Sequence, residues 1–600
     1  MDDEVPRRTY LSTLLATGLS IGVAGCNASS DNSESNRTAE ITTSASDQAE
    51  TKSTTATPNQ APKILAHDAT PQDKGTALAV SLEGEDDDGI ALARIEYSEE
   101  SIERTPESAS VALDEEITDL SGTDIDTTSG QATFLLRDTA GKETRARVNP
   151  DETVPELQTF AVEPAEKAGE VVIRLGGRDE TGLKHAAMLL GEQTHFRENV
   201  SGQTEYSTDQ RISVPENAQF KQNTVTASLT DWNGNSTESE GETYVRKYDV
   251  MSDTQFDIAV NYFTAGEMMF KRCLEEGVET QPEVGAENYD SPIRPEVTTQ
   301  HIDQMQGHGI NRVQFNFGGG DKEDDREQVQ ALFDAGLASD IEIEPTYWAS
   351  QPYRWTEDAD KKQILEDDMT YMRDHFLKRE NAVTHEGRPV VGLENPWSIV
   401  WNYGDEIIDE WGEYESFIDE MRSYLTVDGT KPFIRANAGM PAYKGFKHGR
   451  GGTGEEAFIS TEEFFSYFDA VSQTQLPSHP DSEGEIASWD EVSGFREQMF
   501  RNCREFADNH NMEYFPKVMA GFDSRANTCW GENHPTNIYR STENLQKELR
   551  LAEKYGTSDK IHVFTWNDWT EGTQIEPGTF RGTDYGTEYL EVVKEFQTSS

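Results

Sequence analysis

Three carboxyl residues crowd nine positions near the end of the chain. They are Asp568, Glu571 and Glu576, within Phe564-Thr-Trp-Asn-Asp-Trp-Thr-Glu-Gly-Thr-Gln-Ile-Glu-Pro577. A mostly apolar run (561–564) leads into them, and Trp566 and Trp569 flank the first. Paired carboxyl groups suit glycosidic bond cleavage, where one protonates the leaving oxygen and the other acts as base or nucleophile. Indole faces beside them can stack on the C–H face of a sugar ring. On a regular strand, positions i and i+3 point to opposite faces. Asp568 and Glu571 can therefore share a site only if the chain turns at about Trp569, and Gly572 favours such a turn. The plainer alternative is a hydrophobic strand running into an ordinary polar loop.

The elements able to position such a pair lie between about 254 and 600. Apolar runs at 256–263, 312–317, 341–347, 389–394, 432–437, 470–475, 514–520 and 561–566 read as strands. Helix-like stretches at 295–308, 323–337, 358–379, 406–426, 460–468, 490–510, 540–556 and 585–597 alternate with them. Eight such units predict a (β/α)8 TIM barrel, with a doubly wound open sheet as the alternative. In a barrel of this type the site forms at the C-terminal strand ends. Those ends carry Asn261, Tyr262, Asn316, Tyr347, Trp348, Glu394, Trp397, Asn437, Gln475, Asp523, Arg525 and the 567–571 segment. The collection of aromatics, amides and acids suits hydroxyl-rich ligands. Tyr262, Asn316, Tyr347, Trp348, Glu394, Asp523, Arg525, Trp566, Asn567, Trp569 and Glu576 are the candidate substrate-binding residues. For any one of them alone the plainer reading is the better one, since an Asn or Asp after a strand is usually a turn former or helix cap.

Other chemistries lack their residues. The histidines are scattered with no His-Glu-x-x-His, and no cysteine pair has metal-ligand spacing. There is no Gly-x-Ser-x-Gly elbow, and Gly318-Gly-Gly320 lacks the Lys-Ser/Thr of a phosphate loop. Neither a metal nor a cofactor is expected.

Residues 62–250 have a different texture, with short alternating strands separated by turn residues. Asp88-Gly89-Ile90 matches Thr181-Gly182-Leu183, and Asp138-Thr-Ala-Gly141 matches Asp231-Trp-Asn-Gly234, both at an offset of 93 positions. That offset predicts two tandem immunoglobulin-like β-sandwich units, 62–150 and 151–250, serving as spacers. Residues 27–61, rich in Ser, Thr and acids, read as a disordered tether.

Residues 1–26 carry Arg7-Arg8 followed by an apolar run too short for a comfortable membrane span, ending Gly22-Val-Ala-Gly-Cys26. This resembles a twin-arginine export signal with a lipobox. The resemblance implies cleavage before Cys26, lipidation of its thiol and retention on the extracellular face of the membrane. With Cys26 so used, Cys273, Cys503 and Cys529 allow at most one internal disulfide. Acids outnumber bases 112 to 52, for a net charge of −60 spread along the whole chain. Such a chain repels nucleic-acid phosphates. It fits a haloarchaeal surface whose self-repulsion is screened by salt.

Trp566-Asn-Asp-Trp-Thr-Glu-Gly-Thr-Gln-Ile-Glu-Pro577 resembles the signature of glycoside hydrolase family 99 and its family-99-like (WbsX-type) relatives. Pro516-Lys-Val-Met-Ala-Gly-Phe-Asp523 with Arg525, Gly387-Arg-Pro-Val-Val391 and Gly582-Thr-Asp-Tyr585 are similar to other parts of that domain. The resemblance implies a (β/α)8 barrel that cleaves within α-mannose-type chains with retention. It also implies an anhydro-sugar route in which Asp568 deprotonates the substrate's 2-hydroxyl and Glu571 serves as acid, then base. The family has Glu where this chain has Asp568, one methylene shorter. An exported, lipid-anchored glycosidase is thus the leading expectation, against a non-catalytic surface glycan-binding protein on a similar barrel.

Overall fold

The computed structural model describes residues 59–599 apart from several stretches, the longest being 119–130, 349–358, 397–406, 439–460 and 474–485. The signal, the lipobox with Cys26 and nearly all of the tether lie outside the described residues, as do Trp397 and Gln475. Contacts divide the chain into two compact units, Met1–Glu152 and Thr153–Ser600.

The first unit is an antiparallel sheet of β1 (Lys63–Gln72), β2 (Ala77–Tyr97), β3 (Glu100–Arg104), β4 (Ser108–Ile117), β5 (Ala132–Asp138) and β6 (Glu143–Val148). One half of β2 pairs with β1 and β4, the other with β3 and β5. Between the halves Asp86 accepts the Asp88 N–H at 2.9 Å and Gly89 takes φ +94°.

The second unit begins with β7 (Glu156–Pro164), β8 (Glu170–Leu190), β9 (Gln193–Ser213), β10 (Lys221–Asp231) and β11 (Ser236–Val245). The long strand β8 bends in the same way. Asp179 accepts the N–H groups of Thr181 and Gly182 at 2.9 and 2.8 Å, and Gly182 takes φ +116°. A side chain that caps its own turn, followed by glycine at positive φ, lets a strand bend without ending. Each set of strands is therefore one continuous hydrogen-bonded sheet. These pairings do not confirm the separate facing sheets of an immunoglobulin-like sandwich.

The rest of the second unit alternates strand and helix. Its strands are β12 (Asp257–Tyr262), β13 (Arg312–Phe317), β14 (Glu342–Trp348), β15 (Arg388–Glu394), β16 (Phe433–Ala438), β17 (Ala470–Gln473), β18 (Glu513–Tyr514), β19 (Lys517–Val518) and β20 (Lys560–Val563). Its helices are α1 (Pro295–Gln306), α2 (Glu323–Leu337), α3 (Lys361–Met372), α4 (Tyr414–Tyr424), α5 (Thr461–Phe465), α6 (Trp489–His510), α7 (Thr542–Tyr555) and α8 (Glu588–Thr598). Strands β12 to β18 pair in parallel, each with the next. Strand β19 pairs with β20, and β20 returns to β12. Strands β18 and β19 are one segment interrupted by Phe515-Pro516, because proline offers no N–H to the ladder. The segment pairs with β17 on one side and β20 on the other, so the parallel sheet curls back on itself into a barrel-like domain.

Helix α1 carries the contact with the β7–β11 sheet. Buried Asp303 accepts the Lys247 N–H at 2.8 Å and the Tyr244 hydroxyl at 3.3 Å, and Arg246 donates to Gln306 at 2.6 Å. Burial pushes the Asp303 carboxyl up to about 6, against those donors and the Arg246 charge. Its folded pKa thus exceeds the ordinary 3.8, so the native state holds the extra proton between those values. Stability falls as pH rises through that window, by roughly 3 kcal/mol from this group. Asp303→Asn keeps an acceptor for Lys247 N–H and is expected to flatten that part of the stability profile. Urea midpoints at pH values on either side of the window check this.

Candidate functional site

The carboxylate segment is shaped by backbone bonds that leave the β20 ladder. Strand β20 ends at Val563, three residues before the 561–566 run expected from sequence. Thr565 N–H then bonds Thr573 O at 3.1 Å and Trp566 N–H bonds Asn261 O at 2.7 Å. The chain turns over 569–572, with Gly572 at φ +60°. A Cβ on Gly572 would lie 2.8 Å from Phe580 and 2.9 Å from Asp523 O, so the turn fits only glycine.

Asp568 precedes this turn and Glu571 lies within it. Asp568 is buried, and its Oδ1 accepts Thr570 N–H (3.0 Å), Thr570 Oγ1–H (2.7 Å) and Glu571 N–H (3.0 Å). Its Oδ2 accepts no hydrogen bond among the described residues. Burial pushes the Asp568 carboxyl up, and those three donors oppose it. Glu571 has no such donors among the described residues. Burial, then the charges of Asp568 and Glu394, push its carboxyl well above the ordinary range. Both carboxyls are thus pushed up, Glu571 further, because only Asp568 has donors that favour its anion.

Glu394 ends β15 and is buried. It accepts Asn437 Nδ2–H from β16, and Lys517 Nζ of β19 lies 3.2 Å from its Oε2. Burial lowers the Lys517 pKa, with Glu394 opposing. Asp523 reaches the same turn through its backbone, its N–H bonding Glu571 O at 2.8 Å. Its carboxyl is gripped by both arms of Arg525 at 2.8 and 2.7 Å. Burial works against the Asp523 anion, but the Arg525 fork wins and holds the group below its usual value. Asn316, next to last in β13, has a buried Oδ1 with no hydrogen-bond partner among the described residues.

The aromatics lie beneath the turn. Trp566, Trp569 and Tyr262 have no exposed surface. Glu576, also fully buried, accepts from Trp569 Nε1–H at 2.8 Å and from Tyr289 hydroxyl, and its other oxygen meets His301 Nε2 at 2.9 Å. His301 Nδ1 meets Tyr262 hydroxyl at 3.0 Å. Asn567 clamps the Phe263 backbone with both ends of its amide, at 2.8 and 3.0 Å. Tyr347 is buried with its hydroxyl on Asp368 at 3.0 Å. Tyr262, Tyr347, Trp566, Asn567, Trp569 and Glu576 therefore occupy supporting positions and present no face to a ligand. Trp348 ends β14, with its side chain outside the described residues.

Sequence reasoning missed Lys517 and a charged layer deeper in the barrel. Arg312, Glu344, Arg435 and His562 are fully buried there. The signal was available, since each is an ionisable residue set beside apolar ones in its strand. A disulfide joins Cys273, beyond β12, to Cys529, beyond β19, and so straps the segments on both sides of β20. Cys503 is a buried free thiol. No cluster able to hold a metal occurs among the described residues.

No family model matches the chain, and no curated protein matches it in sequence. Solved structures overlap it in part. One described as a glycoside hydrolase-like protein gives a TM-score of 0.43 at 16% identity, covering 58% of this chain and 96% of its own. The GH99 endo-alpha-mannosidase from Bacteroides thetaiotaomicron gives 0.38 at 14%, covering 56% and 96%. Bacteroides uniformis beta-glucuronidase 3 gives 0.32 at 11%, covering 90% of this chain and 66% of its own. At such low identity and overlap these likenesses assign no activity to this chain.

Proposed function

We propose that the chain is a glycoside hydrolase on a (β/α)8 barrel, with Glu571 as general acid and Asp568 as base. The observation that carries this is the split environment of the pair. Burial and two neighbouring acids push the Glu571 carboxyl well up, while three donors hold back the rise at Asp568. Two adjacent carboxyl groups whose environments favour the proton unequally suit acid–base cleavage of an acetal. Glu571 donates its proton to the glycosidic oxygen as the bond breaks. Asp568, through Oδ2, takes the proton of the attacking group, which the sequence motif implies is the sugar's own 2-hydroxyl. Glu394, braced by Lys517 and Asn437, supplies negative charge that keeps Glu571 protonated. The resemblance of 566–577 points to an α-mannan-like substrate. The test is release of new reducing ends from α-mannan by the full chain at high salt. No cleavage of any glycan would refute the reading.

A second reading, a glycan-binding barrel without turnover, draws on one observation: Asp568 Oδ1 is fully occupied in shaping the turn. Asp568→Asn separates the two, because the amide oxygen can still accept the turn's N–H groups. Under the hydrolase reading turnover falls roughly 10²–10⁴-fold with folding intact. Under the binding reading neither chain turns over and glycan affinity is unchanged.

Export and anchoring rest on Arg7-Arg8 and Cys26. Cys26→Ser is expected to release the chain from the membrane fraction, and unchanged retention would sink the lipid anchor.

A further inference from the structure

A second pocket opens beside the carboxylate turn, with a volume of about 420 Å³. Its lining includes Arg525, Arg540 and Arg581, against Asp523 and Glu588 as the acids. In a chain with 112 acids and 52 bases, a pocket with more bases than acids runs against the composition. Its cations are also less neutralised than the count suggests. Arg525 takes both oxygens of Asp523, so that anion is already engaged. Arg581 approaches the same carboxylate only to 3.8 Å, beyond hydrogen-bond reach. Arg540 lies over the rings of Phe580, Tyr585 and Tyr589 at 4.6, 5.3 and 5.2 Å. It donates Nη2–H to Gln574 O at 2.6 Å, and its Nε–H is buried with no partner among the described residues. The Arg525 and Arg581 side chains remain 38% and 34% exposed, open to a solute.

Two residues that line the pocket, Asp523 and Phe580, touch the proposed catalytic turn. Asp523 N–H holds Glu571 O, and Phe580 lies against Gly572. The pocket also takes in Ser541 and Thr542 at the start of α7 and Glu588 at the start of α8. The N-termini of both helices thus add partial positive charge at its edge.

We infer that this pocket is an anion-recognition subsite, which makes the substrate a glycan carrying carboxylate or sulfate groups. Guanidinium groups with unused N–H donors pair with planar or tetrahedral oxyanions. The Phe580, Tyr585 and Tyr589 cluster fixes Arg540 in place. The subsite rests on the hydrolase reading only for its role, because binding can be measured without turnover.

The experiment uses the full chain carrying Glu571→Gln, so that no probe is consumed. Calorimetry at several NaCl concentrations compares three probes: an oligouronate, a sulfated oligosaccharide and a neutral manno-oligosaccharide. A chain of net charge −60 repels anions overall, so preference for a charged probe reports a local site. The expected result is at least tenfold tighter binding of one charged probe than the neutral one, weakening with salt. The preferred probe identifies the anion. Adding Arg581→Gln is expected to abolish that preference and leave neutral binding unchanged. Equal binding of charged and neutral probes, or a preference that survives Arg581→Gln, overturns the inference. Cleavage by the parent chain without such a preference removes the subsite and keeps the hydrolase. Preference without cleavage of any glycan does the reverse.

Discussion

Glu571→Gln is expected to lower glycan turnover about 10³-fold or more while leaving glycan binding within a few-fold of the parent. General acid catalysis contributes roughly 10²–10⁴-fold in rate, and the amide keeps the shape of the acid without its proton. The loss has a signature that a mere folding defect would not show. An aryl glycoside with a good leaving group needs little protonation of its departing oxygen, so its cleavage should fall far less than that of a natural glycan. The environment of Glu571 also sets the pH dependence. Burial comes first, then the charges of Asp568 and Glu394, and together they raise its pKa well above the ordinary value. Activity should therefore persist to higher pH than a free glutamic acid would allow. It is lost on the alkaline side as Glu571 ionises. Asp568→Asn removes one of the two charges, so any residual activity should lose its alkaline limb at lower pH. Equal losses on aryl and natural substrates would contradict the acid role.

The largest stability effect is expected deeper in the barrel, at Glu344→Gln. Glu344 has no exposed surface and faces two guanidiniums with none either. Arg312 Nη1 donates to its Oε2 at 3.2 Å, and Arg435 approaches its Oε1 at 3.0 and 2.8 Å through Nε and Nη2. Arg312 also has Asp257 at 3.3 Å, but among the described residues Arg435 otherwise has only the Ser472 hydroxyl at 3.2 Å. Burial and the surrounding cations push the His562 pKa well down, so neutral His562 adds no charge of its own. Glutamine fills the same volume but strands Arg435 without a counter-charge. Breaking a buried pair in this way costs about 3–5 kcal/mol. The urea midpoint should drop accordingly, with activity per folded molecule changed less than stability. A loss under about 1 kcal/mol, the range of an exposed pair, would show that water reaches this layer. Gly392 belongs to the same design. A Cβ there would lie 2.3 Å from Thr346 Oγ1 and 2.7 Å from Arg435 Nη2, so glycine makes room for the guanidinium.

The barrel-like strands were readable because short apolar-rich runs alternate with helix-like stretches along the chain. Their ends were less readable. Pro516 splits one strand in two while the chain still bridges β17 and β20, a tolerance that a run of apolar residues does not announce. The 561–566 run shortens to Val563 because Thr565 and Trp566 turn their N–H groups to Thr573 and Asn261. Asp568 and Glu571 were visible as acids, and the turn between them as a geometric necessity. What distinguishes them was not visible. The Thr570 and Glu571 donors on Asp568, and the approach of Glu394 from β15, exist only in three dimensions. Trp566 and Trp569 show the opposite difficulty. An indole beside carboxyl groups serves equally as a stacking face or a strut, and only the Glu576–His301–Tyr262 network places these two in the core. Lys517 went unread because a single lysine in a strand is usually a solvent-facing residue, whereas here it meets Glu394 in the interior.

The central claim is the protonation state of one side chain, and infrared spectroscopy reads it directly. The parent-minus-Glu571→Gln difference spectrum at neutral pH isolates the Glu571 carboxyl from every other acid in the chain. A protonated-carboxyl C=O stretch is expected in that difference, shifting on deuteration and disappearing only at alkaline pH. An ionised carboxylate band in its place at neutral pH would contradict the assignment of Glu571 as the acid.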